Sequence, residues 1–136
     1  MIYLESSAVV KLARRETHTE DLITWLAERH DAPLVSSALV EIEVPRALRR
    51  VEPDALVSVP TILAGMYRVE INRPVRQAAG AFDQPNLRTL DAIHLATAEI
   101  IGSELAAFVS YDRRLLEVAH ARGLRTASPG AGAGDS

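Results

Sequence analysis

The chain has no cysteine, one lysine, one tryptophan and only 4% aromatic residues. Without cysteine there is no disulfide framework and no thiolate-bound zinc. A reducing, cytoplasmic compartment fits that composition. No stretch is apolar and long enough to span a bilayer. The opening Met1-Ile2-Tyr3-Leu4 lacks the basic start, long apolar run and small-residue cleavage site of a secretory signal. Net positive charge is also missing. The formal charge is −3, so any binding of nucleic acid has to rest on a local cationic patch rather than on the global field. The basic residues are almost all arginine, with Lys11 the sole lysine. Arginine suits bidentate contact with phosphate or carboxylate, although genomic composition produces the same bias.

What is present is ordinary globular material: 136 residues, 48% hydrophobic and 24% charged, enough for one domain with a real core. Residues 1–5 form a short apolar run closed by an acid, and residues 6–15 follow as a helix capped by Ser6 or Ser7. Leu22, Trp25 and Leu26 lie at helical spacing within a second helix, Thr19 to Arg29. A short strand is expected at 33–36, then a helix from Ser37 to about Arg50. Pro45 predicts either a kink near 41–45 or a late start to that helix, because its ring clashes with the carbonyl of Glu41. Pro53 to Gly65 reads as a helix, 67–71 as a strand, Pro74 to Phe82 as a helix and 83–88 as a turn.

The clearest helix is Thr89 to Ile101, with Thr89 as its cap, Asp91 in the first turn and Gly102 as its stop. It is apolar nearly all round and so should be buried. Residues 106–110 form a strand, Asp112 opens a helix to Arg122, and 125–127 form a last short strand. Residues 129–136, PGAGAGDS, read as a disordered tail after a single domain spanning 1–128. Strands alternate with helices, which predicts a three-layer α/β/α domain with a mostly parallel sheet.

Ligands of parallel sheets gather at the carboxyl ends of the strands. Four acids fall there. Glu5 ends the first strand, Glu41 or Glu43 lies early in the third helix, Asp91 sits in the first turn of the buried helix, and Asp112 follows the strand at 106–110. Carboxylates at close range raise one another's pKa and repel. A hard divalent cation removes that cost, and oxygen-only ligands select Mg²⁺ or Mn²⁺. Such an ion polarises a phosphoryl oxygen and acidifies bound water, as phosphodiester hydrolysis requires. Each acid also has an ordinary role: a helix cap for Asp112, a dipole partner for Asp91, a solvated face for Glu41 or Glu43. Spacing by itself leaves both readings open.

The residues match more than isolated acids. MIYLESSAVVKL at 1–12 resembles the opening of VapC-family PIN domains, which typically reads MIYLDTSALVKL. VSSALVEIEVPRALRR resembles their second block, LRTLDAIHLATA is very similar to the third, and AAFVSYDRRLLEVAHARGL resembles the fourth, built around T/S-x-D. The resemblance implies a PIN-like fold and a metal-dependent ribonuclease toxin paired with a VapB-like antitoxin. It places the family's acids on Glu5, Glu43, Asp91 and Asp112, with Glu43 preferred to Glu41 because it occupies the glutamate of the E-x-x-R-A segment. Ser110 matches the hydroxyl residue said to help hold the metal or its water, and Ser6 and Ser7 match hydroxyl positions after the first acid. The implied cofactor is Mg²⁺ or Mn²⁺, and the implied substrate is unpaired RNA, with tRNA or rRNA the usual targets. Homodimers are common in the family.

One departure stands out. The family usually has aspartate where this chain has Glu5, whose carboxylate reaches about 1 Å further. That leaves an alternative, a catalytically weakened protein acting mainly as an antitoxin- or RNA-binding module. Arg46, Arg49 and Arg50 share one helix with Glu43, and Arg88, Arg113 and Arg114 flank the other acids. They are candidates to guide phosphate, with a solvated face or dimer contact as the alternative. His94, one turn after Asp91, reads as a core histidine, with a hydrogen bond near the site as the alternative, and Tyr3, Trp25 and Phe108 read as core rather than as base-stacking platforms. A phosphate-accepting receiver domain would want a lysine on a late strand, and a phosphatase with an aspartyl nucleophile would want D-x-D where this chain has Glu5-Ser6-Ser7.

Overall fold

The structure, a computed structural model, describes residues 1–132. Five strands, β1 (Ile2–Leu4), β2 (Leu34–Ser37), β3 (Tyr67–Val69), β4 (Ala107–Val109) and β5 (Thr126–Ala127), form one sheet in the order β3-β2-β1-β4-β5. Every pairing is parallel, and β1 is central. The expected α/β/α arrangement is therefore present.

The strands are short, but their pleat sorts the core. Ile2, Leu4, Ala107 and Val109 face one side, where α1 (Ser6–Ala13), α2 (Thr19–Ala27), α3 (Val40–Val51) and α4 (Val59–Ala64) cover them. Tyr3, Val35 and Phe108 face the other, against α6 (Thr89–Ile101) and α7 (Arg113–Ala121), with α5 (Arg73–Ala81) packed along α6. Tyr3 and Phe108 stack on adjacent strands at 5.1 Å between ring centroids, so both are core, as expected. Trp25 is half-buried against the first cluster, with the Arg29 guanidinium over its ring. Helix α6 buries Ala92, His94, Leu95, Ala96, Thr97 and Ala98, which accounts for its apolar circumference.

Several boundaries differ from those expected. Helix α3 begins at Val40, three residues after Ser37, and runs unbroken to Val51 with Pro45 inside it. The start is late, but not late enough to put Pro45 in the first turn, so the proline stands inside the helix and leaves the Glu41 carbonyl without its helical donor. Ser37 Oγ instead accepts from Leu39 N in the turn before the helix (3.1 Å). The single helix expected over Pro53 to Gly65 is a 3-10 segment, Pro53–Ser58, followed by α4. Pro60 supplies no N–H at that junction. Arg88, not Thr89, occupies the cap position of α6 and offers no side-chain bond. Pro129, in the expected tail, is buried and its carbonyl accepts from Tyr111 Oη (2.8 Å). Residues 129–132 therefore include an ordered turn, and 133–136 lie outside the described residues. Among the described residues no helix is long and apolar enough to cross a membrane.

Candidate active site

The strand order reverses direction at β1. From there the chain builds outward through β2 and β3 on one side and through β4 and β5 on the other. The crevice beyond the carboxyl ends of β1 and β4 is thus the topological switch point, where parallel sheets bind ligands. Glu5 follows β1 and Ser110-Tyr111-Asp112 follow β4. The ladder continues one step past the strands, with Glu5 N donating to Val109 O at 3.0 Å.

Glu5 is almost buried (7% exposed) and caps α1. Its Oε1 accepts from Ser7 N (3.1 Å), Ser7 Oγ (2.5 Å) and Ser110 Oγ (2.8 Å). Ser7 Oγ in turn accepts from Tyr111 N (2.8 Å), and Ser110 Oγ from Asp112 N (3.0 Å). Two hydroxyls therefore lock the end of β1 to the loop after β4. Asp112 caps α7 as expected, its Oδ1 accepting from Arg114 N and Leu115 N at 3.0 and 3.2 Å. Among the described residues nothing donates to Glu5 Oε2 or Asp112 Oδ2.

Asp91 enters from α6, on the opposite layer. Burial first, then the negative charges of Asp112 and Glu5, push its carboxyl above the ordinary range, against a smaller opposing pull from the Arg88 backbone. Asp91 thus feels acids that two other segments of the chain supply. Among the described residues, however, no three acidic or histidine side chains form a ready-made metal cage. Glu5 and Asp112 are each turned to the local donors just described.

Glu43 belongs to a second arrangement. Its Oε1 accepts from Ser6 Oγ (2.5 Å) and lies 2.7 Å from His94 Nε2. On the far side of the imidazole, Tyr3 Oη lies 2.6 Å from Nδ1. Burial lifts the Tyr3 phenol well above its ordinary pKa, so it stays protonated and donates to Nδ1. Nε2 then carries the hydrogen that Glu43 accepts. Burial tends to raise the Glu43 pKa, but the bonds from His94 and Ser6 outweigh it and hold the carboxylate below its usual range. Glu41 is exposed and pairs with Arg68 (3.2 Å) rather than with His94 or Ser6.

His94 is a core histidine, 1% exposed, and also a partner of a site acid. The i, i+3 spacing of Asp91 and His94 puts both on one face of α6, and the bond to Glu43 joins the two sequence expectations for His94, a core position and a hydrogen bond near the acids. Ser7 as a hub linking β1 and β4 was missed altogether. Arg46, Arg49, Arg50, Arg88, Arg113 and Arg114 are all exposed. A groove of about 880 Å³ beside Asp112 is lined by Tyr111, Arg113, His120 and Arg125 among others.

The donor chemistry at the switch point suits a hard cation. It offers carboxylate and hydroxyl oxygens, with one oxygen on Glu5 and one on Asp112 unclaimed among the described residues and with burial and like charge outweighing the opposing pulls at Asp91.

Comparison with known proteins agrees with this geometry. Residues 2–121 match the PIN domain family. The chain is 48% identical over 132 residues to Ribonuclease VapC35 of Mycobacterium tuberculosis, covering 96% of this chain and 98% of that one. It is 41% identical over 128 residues to Ribonuclease VapC46 of the same organism, covering 94% and 97%. In structure it superposes on VapC20 of M. tuberculosis, described as a sarcin–ricin-loop-cleaving toxin, with a TM-score of 0.71 at 17% identity over 91% of this chain and 96% of that one. FitAcB from Neisseria gonorrhoeae gives a TM-score of 0.63 at 17% identity, covering 93% and 96%. The last two show the fold, and the near full-length sequence matches show the kinship: the chain belongs to the PIN-domain family, among the VapC ribonucleases.

Proposed function

We propose that this protein is the Mg²⁺- or Mn²⁺-dependent endoribonuclease toxin of a VapBC-like pair, hydrolysing RNA phosphodiesters with metal-activated water. The observation that carries the reading is the placement of Glu5 and Asp112 at the β1–β4 switch point, where their charges add to burial in raising the pKa of Asp91. A carboxyl group held above its ordinary pKa by burial and by two other acids costs stability, and such a cost persists where function requires it. Glu5, Asp91 and Asp112 would hold the cation, with Glu43 alongside. When bound, the ion supplies Lewis acidity toward the phosphoryl group and lowers the pKa of water.

The chain's own residues supply the rest. Ser7 and Ser110 fix Glu5 through its Oε1. The first turn of α7 fixes Asp112. His94 and Ser6 keep Glu43 ionised and aimed, able to orient the attacking water and accept its proton. The exposed Arg88, Arg113 and Arg114 flank the acids in sequence and offer bidentate contacts to backbone phosphates. Asp91 and Asp112 are partly exposed, which suits an unpaired loop or single strand rather than a buried small molecule. VapC20 is described as cutting the sarcin–ricin loop, and a structured tRNA or rRNA is the target class proposed here. The natural partner is a VapB-like antitoxin, for which an acid cluster is a good receptor through arginine. A homodimer in the cytoplasm completes the proposal.

The test is end-mapped cleavage of total RNA by purified protein with Mg²⁺ or Mn²⁺. Discrete cuts bearing 5′-phosphate and 3′-hydroxyl ends, lost with chelator and with Asp91→Ala, are expected. Cutting that survives either treatment overturns the assignment. One observation favours the second reading, a weakened enzyme that chiefly binds its antitoxin or RNA: Glu5 Oε1 is already claimed by three donors. No cleavage by the natural chain and strong cleavage by Glu5→Asp would establish that alternative.

A further inference from the structure

Tyr111 lies between Ser110 and Asp112, and its side chain is held by three other parts of the chain. The Lys11 ammonium of α1 lies 4.6 Å from the ring centroid. The His18 imidazole, at the head of α2, stacks on the ring at 5.9 Å with 9° between planes. The phenol donates to Pro129 O at 2.8 Å.

The clamp is tightly built. His18 is the only non-glycine residue with positive φ among the described residues (71°). Such strain survives only where the surroundings over-determine it. Lys11 Nζ is fixed by Glu16 Oε2 (3.0 Å) and Thr17 O (2.8 Å). Gly130, at φ +87°, presses its backbone onto the His18–Asp21 pair. A Cβ there would fall on the Asp21 carboxylate and within 2.7 Å of His18 Nδ1, so only glycine allows the approach.

The backbone of the same residue reaches the site. Tyr111 N donates to Ser7 Oγ, the hydroxyl that holds Glu5 Oε1, and the next N–H, on Asp112, donates to Ser110 Oγ, the other hydroxyl on that oxygen. We propose that Tyr111 is a positioning residue: the turn at 129–130, seated on His18 and Asp21, clamps its side chain and so sets the spacing between Glu5 and Asp112 for the cation. The metal-binding role of the two acids rests on the function proposed above; the clamp itself does not.

Two variants test it: Tyr111→Phe, which keeps the ring and loses the bond to Pro129, and a chain ending at Ser128. In metal-free protein, hydrogen exchange at the Tyr111 and Asp112 amides should accelerate about tenfold in both, with Leu95 in α6 unchanged. Mn²⁺ titration followed by electron paramagnetic resonance should show dissociation constants raised about three- to tenfold in both. Combining the changes should give no further loss, because they cut the same link. Unchanged exchange at both amides overturns the clamp. Faster exchange with unaltered Mn²⁺ affinity overturns the positioning role. Uniformly faster exchange that includes Leu95 also overturns it, since the turn would then merely stabilise the whole fold. None of these readouts depends on RNA cleavage, so failure of the nuclease assignment would be seen separately.

Discussion

Two groups of acids share one rim of the sheet and are treated in opposite ways. Glu43 is matched: a buried histidine and a serine donate to it, a buried tyrosine fixes the histidine, and its carboxylate is easier to ionise than usual. Asp91 is unmatched: burial and the charges of Asp112 and Glu5 make it harder to ionise. The first arrangement contributes to folding, while the second costs stability and is poised for a ligand. A rim made only of matched acids would be stable and inert toward cations. One made only of unmatched acids would leave nothing to aim a water.

The contrast can be broken at its strongest point by Asp91→Asn. Cleavage should fall by about 10³-fold, roughly 4 kcal/mol of transition-state stabilisation. The metal-free protein should gain a little stability at neutral pH, about 1 kcal/mol or less, because the group is half exposed and screened. Thermal unfolding alongside gel-based cleavage checks both. Next in size is His94→Ala, which leaves Glu43 and the Tyr3 phenol without their partner and opens a cavity. We expect about 3 kcal/mol lost in urea unfolding.

A pH series sharpens the comparison because the two acids have opposite signs. The folded pKa of Glu43 is lowered, so its contribution is present above the unfolded pKa and fades as pH drops through the folded value. Glu43→Gln should therefore be less stable than the natural chain at pH 7, with the gap closing under acid. The folded pKa of Asp91 is raised, so its cost is full above that pKa and is relieved as pH falls toward the unfolded value. The gain from Asp91→Asn should shrink on acidification instead. Curves that move the same way for both variants would refute the distinction. Smallest of all is Glu41→Ala, which breaks only the exposed contact with Arg68: within about 0.5 kcal/mol in stability, and no change in cleavage.

Much of this was readable from local pattern. The all-round apolar face of residues 89–101 announced a buried helix, Asp112 announced its own cap, and alternating strands and helices announced the parallel sheet. Periodicity reports which face of an element meets the core, and caps depend on a few neighbouring residues. The polar connections escaped because they are tertiary. That Tyr3 donates to His94, or that Ser7 joins Glu5 to the backbone 104 residues away, depends on how three layers stack. The break between Ser58 and Val59 and the buried turn at Pro129 escaped for a related reason, since both depend on what the segment packs against.

The central position of β1 bears on when the protein can first act. Its partner β2 follows closely, but β4 and the loop that completes the rim come only after β3, α5 and α6. Glu5 cannot bond Val109, nor meet Ser110 and Asp112, until translation has passed through that loop. A product terminated before β4 would lack the Ser110 and Asp112 side of the rim.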